Sequence, residues 1–115
     1  MSVESLRERF SNFVDAELRS LEILSPTEIT LTMALQDKAR DFDWITLQLH
    51  FSGVSDARIV DDTKLGFIDM SEGATLLQEG TLVAFATGEC YNIEDIKNQT
   101  LYIIAKTLKT SESAF

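Results

Sequence analysis

The sequence predicts an α+β domain, in which an N-terminal amphipathic helix packs on a mainly antiparallel sheet of about six or seven strands. Apolar and polar residues alternate strictly in two segments, and the apolar members are Ile29, Leu31, Met33 and Leu35, then Ile45, Leu47, Leu49 and Phe51. A period of two places the apolar set on one face of a strand, as in an antiparallel sheet with one face on the core. Turn signals then recur about every 8–12 residues, which favours an antiparallel sheet or a two-layer sandwich.

The helix is predicted within residues 1–14, over positions 2–14. The apolar residues there follow the i, i+3, i+4 spacing of one helix face, and they are Val3, Leu6, Phe10, Phe13 and Val14. Ser2 is a suitable N-cap, and Glu4 lies in the first turn, where the helix dipole favours an anion.

Residues 15–24 fit either a helix or a strand. The helical alternative continues the apolar stripe through Leu18, Leu21 and Leu24. The strand alternative rests on the alternation of Leu21 and Ile23 and on the turn at Pro26. A strand over 17–24 would form a hairpin with the strand at 28–36, and we predict this alternative.

The same signals locate the remaining elements. A charged loop over 37–43 precedes a strand at 44–51, and a further strand is predicted within 54–60. The pattern predicts a hairpin formed by segments 74–77 and 81–87, with Gln78-Glu79-Gly80 as its loop. Residues 88–99 are predicted to be irregular or to contain one helical turn near Ile93 to Ile96.

The final strand is predicted over 101–108. Its uninterrupted apolar run, Leu101-Tyr102-Ile103-Ile104, indicates burial on both faces. We expect one domain over 1–115, with the antiparallel sheet within 17–110 and a frayed tail at 111–115.

Charge and composition limit the classes of partner. The net charge is −9, from 19 acidic and 10 basic residues, which disfavours binding to nucleic acids or to anionic membranes. It favours encounter with a basic partner. Charges within the first 20 residues would interrupt a signal peptide, and the one cysteine cannot form an internal disulfide, so we expect a cytoplasmic protein.

Residues able to carry catalysis or bind metal are few. His50 alternates with Thr46 and Gln48, which predicts an ordinary position on the polar face of its strand. Cys90 follows Glu89, which disfavours a thiolate, although a pair with His50 stays open because such pairs meet in space. We expect no catalytic residues, no cofactor and no metal site.

The loop after the first clear strand combines carboxylates with aromatic residues. Exposed aromatic side chains dominate binding hot spots, and Trp44 is out of phase with Ile45, which places it on the outer face of the sheet. A covering helix could bury Trp44, as could a partner. The candidate partner-binding residues are Asp37, Asp41, Phe42, Asp43 and Trp44.

The order of elements resembles the small bacterial immunity-protein domains that are found beside polymorphic toxins. The resemblance lies in Asp15-Ala16-Glu17-Leu18 after the helix, in the strand Ile29 to Met33, and in the segment Leu47 to Val54. It covers about half of the chain. It implies a cytoplasmic inhibitor that blocks a toxin's active site with acidic and aromatic groups, and it assigns a role to no individual residue.

The leading hypothesis is therefore a non-enzymatic binding protein that occludes a basic protein partner. The alternatives are a homo-oligomeric structural domain, joined through an edge strand or through the face holding Trp44, and a ligand carrier or enzyme with a pocket between helix and sheet. A homodimer is compatible with the first two hypotheses.

Overall fold

The computed structural model describes residues 3–114. Within this range α1 is Val3–Arg9 and α2 is Ile93–Ile96. Turns of 3-10 helix lie at Ser11–Phe13, Lys38–Arg40 and Asp62–Phe67. None of the described helices is long and apolar enough to cross a membrane.

Eight strands among the described residues form two four-stranded antiparallel sheets. The first sheet has the order β1-β2-β3-β8 and the second has the order β4-β7-β6-β5. The strands are β1 (Glu17–Ser25), β2 (Glu28–Asp37), β3 (Asp43–Ser52), β4 (Asp56–Arg58), β5 (Ala74–Glu79), β6 (Leu82–Thr87), β7 (Tyr102–Ala105) and β8 (Thr107–Ala114). The predicted α+β class and its antiparallel pairing are confirmed.

A bent two-stranded ribbon joins the two sheets. β3 leads into β4 through Gly53, and β7 leads into β8 through Lys106, whose N–H donates to the carbonyl oxygens of Ser52 and Gly53 at 3.2 Å. Gly53 has φ +68°, a left-handed conformation that glycine adopts without steric cost. The β3–β8 pair therefore continues as the β4–β7 pair, and the expected single sheet of six or seven strands is corrected to two sheets that share this ribbon.

The main core lies between the two sheets. The apolar members of both alternating segments are buried there, which confirms the predicted faces of β2 and β3. Phe85 of β6 packs at 6.5 Å between ring centroids from Phe51 and at 6.2 Å from Phe13. A second cluster on the outer face of the second sheet lies against α2, and it includes Ala84, Ala86, Cys90, Ile96, Tyr102 and Ile104.

The predicted helix over 2–14 is too long. α1 ends at Arg9, and Ser11, Asn12 and Phe13 all have positive φ, between 53° and 61°. This left-handed turn reverses the chain, so that Phe13 is fully buried and the chain enters β1. The strand alternative for 17–24 is confirmed by β1, whereas Ser2, the proposed N-cap, lies outside the described residues.

The predicted frayed tail is also wrong over the described residues. β8 extends to Ala114 and pairs with β3 along its length, from Thr107 opposite Ser52 to Ala114 opposite Ile45. The sequence pattern did not predict this part of the strand, because its residues are mostly polar and the strand is held by backbone pairing with β3 rather than by an apolar face. The strand predicted over 101–108 is divided at Lys106 between β7 and β8, and β7 is buried on both faces as predicted.

The other predicted strands and the predicted helical turn are present, with shifted bounds. β5 and β6 form the expected hairpin, and the helical turn near Ile93 to Ile96 is present as α2. The strand predicted within 54–60 is reduced to the three residues of β4.

Candidate functional site

The β2–β3 connection adopts a conformation that its residues disfavour. After the Lys38–Arg40 turn, Asp41 and Phe42 both lie in the left-handed region, at φ 55° and 64°. Positive φ is uncommon outside glycine, costs roughly 1–2 kcal/mol per residue, and is a genuine outlier for a bulky side chain. The surrounding structure must therefore impose it, and the Phe42 N–H does donate to the Asp37 carbonyl oxygen at 2.8 Å.

Asp37 is the buried support of this connection. Its side chain is 0% exposed and accepts hydrogen bonds from Arg9 Nε at 2.9 Å and from Arg9 Nη2 at 2.5 Å. Its Oδ1 also accepts the Ala39 N–H at 2.9 Å, which fixes the first turn after β2. A buried carboxylate is tolerated only when it is paired and hydrogen-bonded, and Asp37 meets both conditions.

Glu112 completes a cluster of four charged side chains. Arg9 Nη1 and Nη2 each lie 2.8 Å from a carboxylate oxygen of Glu112, so one guanidinium forms a two-point contact with each of two carboxylates. Arg40 lies 3.4 Å from Asp37 and 3.5 Å from Glu112. We refer to Arg9, Asp37, Arg40 and Glu112 as the charge cluster, and it connects α1, the β2–β3 connection and β8.

The cluster shifts the proton affinities of its members in the directions that pairing predicts. The Arg9 hydrogen bonds are the largest cause that lowers the pKa of Asp37 below its usual value, against the opposing effect of burial. The bonds to Asp37 and then to Glu112 raise the pKa of Arg9 further above neutrality. Both groups are therefore charged at neutral pH.

Four of the five predicted partner-binding residues form the end of this hairpin. Phe42 is 51% exposed and Trp44 is 39% exposed, and the carboxylates of Asp41 and Asp43 face solvent. The outward phase of Trp44 relative to Ile45 is as predicted. We call Asp41, Phe42, Asp43 and Trp44 the hairpin tip.

Asp37, the fifth predicted residue, is not at this surface, because its buried side chain is engaged by Arg9. The alternation contained a signal for this position, since residues 29, 31, 33, 35 and 37 all share the inward phase of β2. Sequence reasoning missed Arg9 and Glu112, whose mutual contact spans 103 positions of the chain.

The local charge at the hairpin tip is modest. Lys38 and the half-exposed Arg40 belong to the same connection as the exposed Asp41 and Asp43, so charges of both signs lie close together in the chain. The acidic character is thus a property of the whole molecule, and the tip itself contributes mainly aromatic surface.

His50 and Cys90 lie on opposite outer faces, with the core between them. His50 Nδ1 is 2.7 Å from Thr30 Oγ1, and its Nε2 is 3.5 Å from Glu28 Oε2, all on the polar face of the first sheet. Cys90 is buried in the outer cluster of the second sheet, and burial is the largest cause that raises the pKa of its thiol. The two residues do not form a dyad, and the Cys90 thiol is protonated at neutral pH.

A cleft of about 480 Å³ lies between the start of β1 and residues 65–71, and it contains Asp15, Glu17 and Asp69. Glu17 Oε2 accepts from Arg19 at 2.7 Å, and Asp69 Oδ1 accepts the Ser71 N–H at 2.9 Å. The bonds from Ser71 lower the pKa of Asp69, whereas a general acid at neutral pH needs a raised pKa. The direction of this shift disfavours Asp69 as a general acid at neutral pH.

The clefts beside α1 match the predicted location of a ligand pocket, and they differ in their ionisable groups. One of about 470 Å³ lies between α1 and β5, and its lining includes Glu4, Arg7, Cys90 and Tyr91. Another cleft, of about 420 Å³, lies between α1 and β8 and is lined by Val3, Leu6, Gln78, Val83, Lys106, Thr107, Leu108 and Thr110. No carboxylate is among these lining residues. Among residues 3–114, no group of three or more His, Cys, Asp or Glu side chains is arranged to hold a metal ion.

No protein-family model matches this chain, and no curated protein or solved structure matches it either.

Proposed function

We propose that this protein is a non-enzymatic binding protein that engages a basic protein partner through the hairpin tip. The observation that best supports the proposal is the conformation of Phe42, a half-exposed aromatic residue at positive φ. Its N–H is bonded to the backbone of Asp37, whose buried carboxylate is paired with Arg9. Strain of this kind persists only where other contacts enforce it, and it is concentrated at functional sites.

The chemistry of the tip favours a protein partner. Phe42 and Trp44 supply large side chains of low conformational entropy, and aromatic residues are enriched in binding hot spots. Asp41 and Asp43 flank them, as charged groups do at the rim of an interface, where they affect association rate and register. We propose that Phe42 enters an apolar pocket whose margin carries lysine or arginine side chains.

The net charge of −9 supports the choice of a basic partner. Complementary potentials accelerate encounter, and the effect weakens as salt screens the charges. An inhibitor of the immunity type, acting in the cytoplasm by covering a basic surface of its target, is one form of this proposal. It draws on the resemblance of the sequence alone.

The experiment compares Phe42→Ala with Phe67→Ala. Phe67 is a suitable control because it is 87% exposed and lies outside the hairpin tip, so both changes remove an exposed ring. Tagged wild-type protein captures partners from a lysate of its own source at low salt, and the purified partner is then titrated against all three proteins by calorimetry.

We expect Phe42→Ala to raise Kd by about thirtyfold or more, as for a hot-spot residue worth about 2 kcal/mol. Phe67→Ala should leave Kd unchanged within about twofold. Equal affinities of wild type and Phe42→Ala would refute the proposal for this surface. Capture of untagged copies of the same chain alone would favour the homo-oligomeric alternative.

A further inference from the structure

We infer that Arg9 and Glu112 are positioning residues for the hairpin tip, so that the tip holds its binding conformation only while α1 and β8 are both docked. This inference rests on the proposed function for its biological meaning. The coupling itself is a property of the charge cluster and can be measured without a partner.

The contacts run continuously from the tip to both ends of the described chain. The Phe42 N–H is bonded to the Asp37 carbonyl oxygen, and the Asp37 carboxylate is bonded to Arg9 at the end of α1. Arg9 is bonded in turn to Glu112, near the end of β8. Each step is a hydrogen bond of 2.5–2.9 Å, so no gap separates the tip from the two terminal elements.

The tip depends on the Asp37 carboxylate remaining in place. If Arg9 is lost, Arg40 is the one cation of the charge cluster left beside the fully buried carboxylate, and its side chain is more than half exposed. Burial of an uncompensated charge is costly, so Asp37 would move toward water or take up a proton. Movement of the side chain would break the bond to Ala39, and protonation would weaken it, so both responses reduce the support of the backbone that holds Phe42 at positive φ.

Glu112 affects the tip less directly than Arg9. It lies at the rim of the cluster, with 24% of its side chain exposed, and it fixes the orientation of Arg9 by occupying the second edge of the guanidinium. Loss of Glu112 leaves Asp37 paired but lets Arg9 and the end of β8 move. We therefore expect an intermediate effect on the tip from Glu112 and a larger effect from Arg9.

The experiment measures the tip in Glu112→Gln and Arg9→Gln. Glu17→Gln is the matched control, since Glu17 is also a strand glutamate bonded to an arginine, at 2.7 Å, but it lies outside the charge cluster. Hydrogen exchange of the Phe42 amide and quenching of Trp44, the one tryptophan of the chain, report on the tip. Exchange of the Leu49 amide, in the middle of β3, reports on the core.

We expect Glu112→Gln to accelerate Phe42 exchange by roughly tenfold and to increase Trp44 quenching, while Leu49 exchange changes less than about twofold. A merely stabilising role would accelerate Phe42 and Leu49 together. Arg9→Gln should accelerate Phe42 exchange more than Glu112→Gln does. If Arg9→Gln does not fold, Glu112→Gln alone tests the coupling, because Glu112 lies at the partly exposed rim of the cluster and its loss should leave the fold intact. Unchanged Phe42 exchange and Trp44 quenching in folded Glu112→Gln would overturn the inference.

The outcomes separate this inference from the proposed function. A looser tip in Glu112→Gln, combined with no effect of Phe42→Ala on affinity, would support the coupling and refute the binding role of the tip. Weaker binding of Phe42→Ala, combined with an unchanged tip in Glu112→Gln, would support the binding role and overturn the coupling.

Discussion

The β2–β3 and β5–β6 hairpins use left-handed backbone in opposite ways. In the β5–β6 hairpin the left-handed residue is Gly80, at φ +62°, and a Cβ added there would meet nothing within 4 Å. In the β2–β3 hairpin the left-handed residues are Asp41 and Phe42. Glycine takes this conformation without steric cost, whereas Asp41 and Phe42 need support from elsewhere.

The two hairpins differ in what holds the turn and in what the turn exposes to solvent. The β2–β3 hairpin has a buried aspartate at its base, paired with an arginine from a different element, and it exposes an aromatic ring at its end. The β5–β6 hairpin has neither feature. A turn that was only a connection would need no buried carboxylate paired with an arginine from another element, so the β2–β3 end differs from a simple connection.

The largest effect is expected at the base of the β2–β3 hairpin. Asp37→Asn neutralises the fully buried carboxylate that pairs with Arg9. Because Arg9 is partly exposed and stays paired with Glu112, we expect a loss of about 3 kcal/mol of unfolding free energy, the lower end of the range for breaking a buried pair. Asp43→Asn changes an exposed side chain of the same hairpin and should alter the unfolding free energy by less than about 0.5 kcal/mol. Urea denaturation measures both, and similar values for the two variants would contradict the role of Asp37.

The contribution of Asp37 should also disappear in acid. The hydrogen bonds from Arg9 hold the folded-state pKa of Asp37 below its ordinary value. The stability that Asp37 contributes is therefore fully present above the unfolded-state pKa and is lost as the pH falls through the folded-state pKa. Arg9 from α1, Arg40 from the connection and Glu112 from β8 are the charged groups that face it.

The stability gap between wild type and Asp37→Asn should therefore be constant from neutral pH down to about pH 5 and should narrow below about pH 4. Urea titrations of both proteins between about pH 7 and pH 2.5 test this expectation. A gap that stays constant over the whole range would show that the stabilisation does not depend on the ionised carboxylate.

A smaller effect is expected at the β5–β6 hairpin. Gly80→Ala should cost about 1–2 kcal/mol, because alanine is disfavoured at positive φ. Gly66→Ala is the matched control, since its surroundings are equally open but its φ is not positive, and it should cost less than about 0.5 kcal/mol. Equal losses in thermal or urea unfolding would show that φ is not what selects glycine at position 80.

The smallest expected effect is the difference in unfolding free energy between Phe42→Gly and Phe42→Ala. Both variants lose the ring, but only alanine retains the cost of positive φ, so Phe42→Gly should be about 0.5–1 kcal/mol more stable than Phe42→Ala. At Phe67, whose φ is not positive, the order should reverse. Alanine more stable than glycine at both positions would show that Phe42 carries no backbone strain.

Sequence reasoning succeeded where a local pattern carries the information. The alternation of residues 29–35 and 45–51 identified two strands and the faces that they bury, and Ser25-Pro26-Thr27 indicated the first hairpin. The predicted hairpin loop near Gly80 rested on the same kind of local signal.

It failed where a structure depends on distant partners. β8 is nearly all polar, and its pairing with β3 is set by backbone hydrogen bonds that leave no periodic signature. The early end of α1 depends on a left-handed turn by ordinary residues, since Phe10 and Phe13 have helical spacing in any case. The role of Asp37 required Arg9 and Glu112, which are brought to it only by the completed fold.

The bent ribbon has a consequence for the order in which the chain can fold during synthesis. β3 is an inner strand of its sheet, yet the neighbour on one of its sides is β8, which is translated after every other described element. Until β8 has been made, the backbone groups on that side of β3 have no partner, and an unpaired strand edge invites association with other chains. The nascent chain is therefore expected to be most prone to aggregation just before its last described strand is complete.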